Sequence, residues 1–183
     1  MALQESLPLG VVLERRRSAH PWQDHVWRPA EVVPGAPPCD PKGDWTLLRE
    51  GGDWAHFHAG TLPLELFRKD TEAYKVNLSQ SPPRVFVVLR GDDDDETAHE
   101  YLPFLVTASP YEAQDYLDSG EELVEAVAMP PDVVAFVQAY VDRHHVDEPF
   151  YKRKRTPHKD DRKGGGRAAH GGNGRAGRGG PRG

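Results

Sequence analysis

Over its first hundred positions the chain alternates apolar and polar residues in short runs separated by turn residues. Trp54, His56 and His58 alternate with Ala55 and Phe57. Leu62, Leu64 and Leu66 alternate with Pro63, Glu65 and Phe67, and Tyr74, Val76 and Leu78 with Lys75 and Asn77. Period two is the pattern of a half-buried antiparallel strand, whose successive side chains face opposite ways. It predicts strands over 10–15, 26–33, 45–49, 54–58, 62–68, 73–78, 84–90 and 101–107. The breaks carry turn chemistry: Pro34-Gly35 with Pro37-Pro38, Gly51-Gly52-Asp53, Ser81-Pro82-Pro83 and Gly91-Asp92. Glu50-Gly51-Gly52-Asp53 between two apolar runs reads as a hairpin turn. The run 85–89 is apolar throughout, which suits a central strand.

After Thr107 the apolar spacing becomes three and four. Ser109-Pro110-Tyr111-Glu112 is a helix start, with a serine cap, proline at the first helical position and glutamate three past the cap. That helix should run 110–118 and stop at Gly120. A short strand is expected over 122–128. Pro130-Pro131 then opens a second helix, with Val133, Val134, Phe136, Val137, Tyr140 and Val141 as its apolar stripe. It should end near His144-His145, whose imidazoles suit the last carbonyls of a helix. The predicted fold class is α+β: an antiparallel sheet, with barrel-like closure as one form, covered by two C-terminal helices.

Charge divides the chain. Residues 151–183 hold 11 Lys and Arg against two acids, while 1–150 hold 12 against 27. From Gly164 onward, ten of 20 residues are glycine and none is large and apolar. Such a segment cannot bury enough surface to offset its backbone entropy. The expected organisation is one α+β domain over 1–150 and a disordered basic tail over 151–183.

Composition excludes several chemistries. No run reaches the roughly 18 apolar residues of a membrane span, and positions 1–10 lack the pattern of a secretory signal. Cys39 is the single cysteine, so neither an internal disulfide nor a cysteine-based metal site can form. A reduced, cytoplasmic setting fits that usage. Cys39 sits in a turn-rich loop with no cation beside it, as a bystander thiol would. There is no G-x-x-x-x-G-K-[ST], no G-x-G-x-x-G after a strand and no G-x-S-x-G. No catalytic residue is predicted.

Some residues still deserve a chemical reading. His56 and His58 share one strand face and would hold a metal if a third ligand arrived; a polar strand face is the plainer reading, and no metal is predicted. The run 92–96 is five consecutive acids without the spacing or glycine of a calcium loop, so it reads as a solvated loop. The mixed-charge stretch 68–75 presents Arg68 and Lys69 to an anionic ligand or to cross-strand partners. Lys152, Arg153, Lys154 and Arg155, followed by spaced arginines in glycine, resemble RNA-binding RGG-like segments. They would bind phosphates weakly and in a salt-sensitive way, because no aromatic follows Tyr151; an acidic protein would serve the same charges.

Several phrases together resemble a known family: P-L-G-V-V-L-E-R at 8–15, W-Q-D-H-V-W-R-P at 22–29, L-E-L-F-R-K-D-T-E-A-Y-K-V-N-L at 64–78, P-P-R-V-F-V-V-L-R at 82–90, V-T-A-S-P-Y-E-A-Q-D-Y-L-D-S-G at 106–120 and E-P-F-Y-K-R-K-R at 148–155. The likeness is to a proteobacterial family of unknown function encoded among genes for molybdenum-dependent formate dehydrogenase. Its members are often labelled molybdopterin-guanine dinucleotide biosynthesis protein A. That label implies a GTP-dependent transferase with an N-terminal L-x-G-G-x-S-x-R-M-G loop, whereas this chain has only Gly10 followed by Val11-Val12-Leu13-Glu14.

The resemblance implies a cytoplasmic, non-catalytic accessory factor in maturation or assembly of the formate dehydrogenase. It would bind an enzyme subunit, a maturation factor or the molybdopterin-type cofactor, and have no cofactor of its own. Tryptophan and arginine are the usual interface anchors, so Trp22, Trp27, Trp54, Arg28, Arg68 and Lys69 are the expected partner-binding residues, on one sheet face. A molybdopterin nucleotide transferase and a tail-driven nucleic-acid-binding module are the alternatives.

Overall fold

The computed structural model describes residues 4–92, 97 and 99–147. The tail 151–183, most of the acidic run and the expected boundary at 150 lie outside the described residues. The order is β1 (Gln4–Arg17), β2 (His25–Pro34), β3 (Thr46–Glu50), β4 (Trp54–Phe67), α1 (Thr71–Leu78), β5 (Arg84–Gly91), β6 (Tyr101–Thr107), α2 (Pro110–Ser119), β7 (Leu123–Ala128) and α3 (Pro131–His144). The fold is α+β. Its strands form two antiparallel sheets, β2-β1-β4-β3 and β6-β5-β7, rather than one barrel-like sheet.

The 14-residue strands β1 and β4 form the centre of the larger sheet, paired from Gln4↔Phe67 to Arg16↔Trp54. The alternation on β1 sends Leu9, Val11 and Leu13 into the main core. There they meet Leu64 and Leu66 of β4, Val85, Val87 and Leu89 of β5, and Val133, Val137 and Tyr140 of α3. Val88 is also fully buried but lies on the opposite face of β5. Helix α2 contacts all three strands of that smaller sheet.

Three sequence expectations change. First, 54–58 and 62–68 are one strand, because Gly60 does not break it. A Cβ at Gly60 would lie 2.7 Å from Pro41 Cγ, so the glycine lets the β2–β3 loop pack on the strand. Thr61 fixes that loop, its N–H donating to the Cys39 carbonyl (2.9 Å) and its hydroxyl to that of Pro37 (2.6 Å).

Second, 73–78 belongs to helix α1, not to a strand. A 3-10 turn, Arg68–Asp70, ends β4, and the buried positions then follow helical spacing: Thr71, Tyr74 and Asn77, with Ala73. The alternation of Tyr74, Val76 and Leu78 is incidental to that stripe. Asn77 explains the helix's place. Its amide donates to the carbonyls of Arg84 (2.7 Å) and Ala108 (2.8 Å), and its side-chain oxygen accepts from Arg84 N–H (2.8 Å). Tyr74 packs edge-on to Tyr140, and its hydroxyl oxygen accepts from Phe67 N–H at 3.0 Å; burial pushes that phenol well above its usual range.

Third, helix α1 makes three helices where two were expected. Helix α2 starts as predicted: Ser109 Oγ accepts from Glu112 N–H at 3.2 Å. The glutamate side chain does not return to the cap directly. Thr107 stands between, its hydroxyl donating to Glu112 (2.7 Å) and accepting from Ser109 N–H (3.0 Å). Gly120 ends the helix at φ +70°, and its N–H donates to the Leu117 carbonyl.

Candidate functional site

A polar row crosses the outer face of the larger sheet. The pairing Arg28↔Glu14↔His56↔Arg49 runs through β2, β1, β4 and β3 in spatial order. Register shifts at Val11/Val12 against β4, at Val12/Leu13 against β2 and at Leu47/Arg49 between β3 and β4 set which residues meet. Glu14 is only 7% exposed. Its Oε1 accepts from Arg16 Nε (3.0 Å) and Arg28 Nε (3.2 Å), and its Oε2 lies 2.9 Å from His56 Nε2. The Arg16 guanidinium, opposed by burial and helped by His56 and Arg28, holds the Glu14 carboxyl down to about 2.

The His56 tautomer follows from its neighbours. A guanidinium only donates, and Arg49 Nε lies 3.0 Å from His56 Nδ1, so Nδ1 accepts. Nε2 then carries the proton and donates to Glu14. Arg49 also pairs with Glu31. Both ring nitrogens and both carboxylate oxygens are thus engaged within the protein. The arrangement suits positioning rather than proton transfer: it fixes the heads of Arg16, Arg28 and Arg49, whose side chains are about half exposed at 45%, 55% and 53%.

At the end of the β1–β2 hairpin, this face contains a pocket of about 270 Å³ lined by Arg16, Arg17, Ser18, Ala19, His20, Val26 and Arg28. Its lining is basic and holds no carboxylate. His20 at its rim stacks on Trp22, with ring centroids 6.1 Å apart and planes 15° from parallel. Trp22 is 85% exposed.

The expected partner-binding residues do not share one face. Arg28 and Trp54 lie on the outer face, since Trp54 pairs with Arg16, two positions from Glu14 on β1. Trp27, adjacent to Arg28 in β2, faces the other way. It packs against Trp45 (5.6 Å) and Phe57 (5.9 Å), and Arg15 lies over Phe57 at 5.1 Å. Trp22 is in the hairpin loop. Arg68 and Lys69 occupy the 3-10 turn at the far end of β4, with Lys69 over the Phe67 ring. Lys75 is bound to Asp147 at 2.9 Å. Lys152, Arg153, Lys154 and Arg155 lie outside the described residues.

The histidines divide by role. His58 shares a face with His56, as expected, and meets Thr61 Oγ1 at 3.0 Å. Among the described residues, no group of three metal-ligating side chains is assembled. His144 and His145 do not cap α3 with their rings: His144 lies 3.9 Å from Glu5, and His145 bridges Thr71 and Asp147 at 2.9 Å each. Arg143 instead donates to the Ala139 carbonyl. Burial, and then Asp40, push the Cys39 thiol up, which leaves it less reactive.

Gly10 has a structural task that leaves no room for phosphate. It pairs with Val33 on one side and Thr61 on the other. A Cβ there would lie 2.5 Å from Ala36 Cβ and 3.1 Å from His58 Nε2. No amide nest forms at this mid-strand position, because its neighbours' backbone groups serve the two ladders.

Sequence reasoning missed Glu14, Arg16, Arg17 and Arg49. The consecutive Arg15-Arg16-Arg17 before a turn were a visible signal for a basic hairpin end. Glu14 and Arg49 carried none, because their separate meetings with His56 depend on the register shifts. Among the described residues, no helix is long and apolar enough to cross a membrane.

No curated protein matches the chain, and no solved structure matches it. One family model does, over residues 8–154, which takes in every strand and helix described above apart from the first four residues of β1. By that match the chain belongs to a family of proteins of unknown function, DUF3305.

Proposed function

We propose that the protein is a non-catalytic accessory factor, working in the cytoplasm, that binds a molybdenum-dependent formate dehydrogenase during its maturation. The client is taken from the sequence resemblance. The observation that carries the binding role is the outer sheet face, where Arg16, Arg28 and Arg49 stand half exposed beside Trp54 with their heads already held by Glu14, His56 and Glu31. Ordered arginines lose less freedom on binding than mobile ones, and Arg and Trp are the residues interfaces favour as anchors. The same preorganisation explains why a strand keeps a nearly buried glutamate.

Deleting the gene tests the role. The expected result is loss of formate dehydrogenase activity and of molybdenum content in the purified enzyme, restored by the wild-type gene but not by one carrying Arg28→Glu and Trp54→Ala. Full activity and metal content in the deletion strain would refute the proposal.

A further inference from the structure

The basic pocket at the hairpin end asks for a ligand that the client-binding reading does not supply. We propose that the β1–β2 hairpin end binds a nucleoside phosphate, with its phosphate in the arginine pocket and its base on Trp22. The inference goes beyond the accessory role and stands or falls separately.

The charge argument begins with donors. Each guanidinium has five N–H groups. Glu14 takes the Nε protons of Arg16 and Arg28 and contact from one further nitrogen of Arg28. The remaining N–H groups of both residues are left over. Arg17, next to Arg16 in β1, directs its side chain to the opposite face of the sheet, and its backbone N–H donates to the Asp53 carbonyl. Two carboxylates act on the cluster: Glu14, already shared by Arg16, Arg28 and His56, and Asp53, felt by Arg16. Two guanidiniums, those of Arg16 and Arg28, therefore line the pocket, held from behind by Glu14, with no carboxylate in the lining itself. Ser18 Oγ accepts from His20 N–H at 3.1 Å, which leaves the Ser18 hydroxyl proton to donate. Arginine forks around a small cavity match the oxygens of a phosphate.

Size and stacking narrow the class. About 270 Å³ lies just below the ~300–1,000 Å³ usual for a whole small molecule. The pocket suits the phosphate and part of a sugar, with the rest outside. Trp22 waits there, one face toward His20 and 85% of its surface in water. An indole in that position is a stacking platform for a planar base, an interaction that every base can make. A bare phosphate would leave Trp22 unused, and a neutral aromatic would leave the arginines unused.

The test titrates the full chain with GMP and AMP, with inorganic phosphate and with guanosine, following tryptophan emission and calorimetric heat. Both nucleotides should quench emission saturably. Inorganic phosphate should bind at least tenfold more weakly and without quenching, and guanosine should bind at least tenfold more weakly. Trp22→Ala should abolish the quench, and both Trp22→Ala and Arg28→Lys should weaken nucleotide binding about tenfold; Trp22 is an exposed loop residue and Arg28→Lys keeps a cation beside Glu14 while removing the guanidinium fork, so folding survives. No saturable binding, equal affinity for phosphate and nucleotide, or binding indifferent to both substitutions would overturn the proposal. Formate dehydrogenase binding is not part of this readout, so the two proposals fail independently.

Discussion

Glu14 and His56 face each other across the β1–β4 ladder with Oε2 and Nε2 2.9 Å apart, and Arg49 on the far side of the ring forces the histidine to donate in that contact. A carboxylate that accepts from two arginines and an imidazole is held in its charged form. Its role is to fix its neighbours, because a group held at about 2 does not take up a proton near neutrality.

Acid should therefore weaken the fold through Glu14. Its folded-state value of about 2 is below its ordinary 4.5, so the unfolded chain binds the proton more readily. The stabilisation is fully present above about pH 4.5 and is lost as pH falls toward 2, amounting to roughly 1–3 kcal/mol after allowance for the exposed partners. Urea unfolding of wild type and Glu14→Gln should differ by that amount at pH 7 and converge near pH 2. A constant difference across that range would contradict the account.

Asn77 should be among the most sensitive polar positions. Asn77→Ala leaves the Arg84 N–H and two carbonyls without their partner inside the protein. Stability should fall by roughly 2–4 kcal/mol, read as a lower urea midpoint. Hydrogen exchange should rise at the Arg84 amide beyond the global change.

Gly10→Ala should cost about 1–3 kcal/mol, since the new methyl meets Ala36 and His58 inside a paired strand. Gly52→Ala, where a Cβ meets nothing within 4 Å, is the control and should remain within about 0.5 kcal/mol. Thermal unfolding of the two variants separates close packing from a general loss of glycine.

Ser109→Ala removes the cap of α2 and should cost about 1 kcal/mol. Thr107→Val should cost at least as much, because the Thr107 hydroxyl links Glu112 to Ser109 N–H. If the threonine variant proved neutral, the relay through Thr107 would be wrong.

Where a local signal carried its own physics, the sequence was legible. Ser109-Pro110-Tyr111-Glu112 and Gly120 bounded α2 closely, and Glu50-Gly51-Gly52-Asp53 marked the β3–β4 turn, closed by Gly51 N–H to the Trp54 carbonyl. Residues 73–78 misled because a short amphipathic helix and a short strand share the same few apolar positions; only the 3-10 turn at Arg68–Asp70 separates the readings. Gly60 misled because its purpose is contact with Pro41, which lies 19 positions away. Trp27 and Arg28 could have been separated at once, as neighbours in a strand face opposite ways. The Glu14 row was beyond reach, since two register shifts in β1 and a third between Leu47 and Arg49 in β3 determine who meets whom.

The central claim is that the outer face of the larger sheet recognises a client. Mixing the purified full-length chain with purified molybdenum-dependent formate dehydrogenase and measuring complex formation by analytical ultracentrifugation tests it most directly. The account predicts a complex with wild type that Arg28→Glu with Trp54→Ala abolishes and Lys69→Ala, at the far end of β4, leaves intact. Absence of a complex with the wild-type chain, or a complex indifferent to the outer-face substitutions, would contradict it.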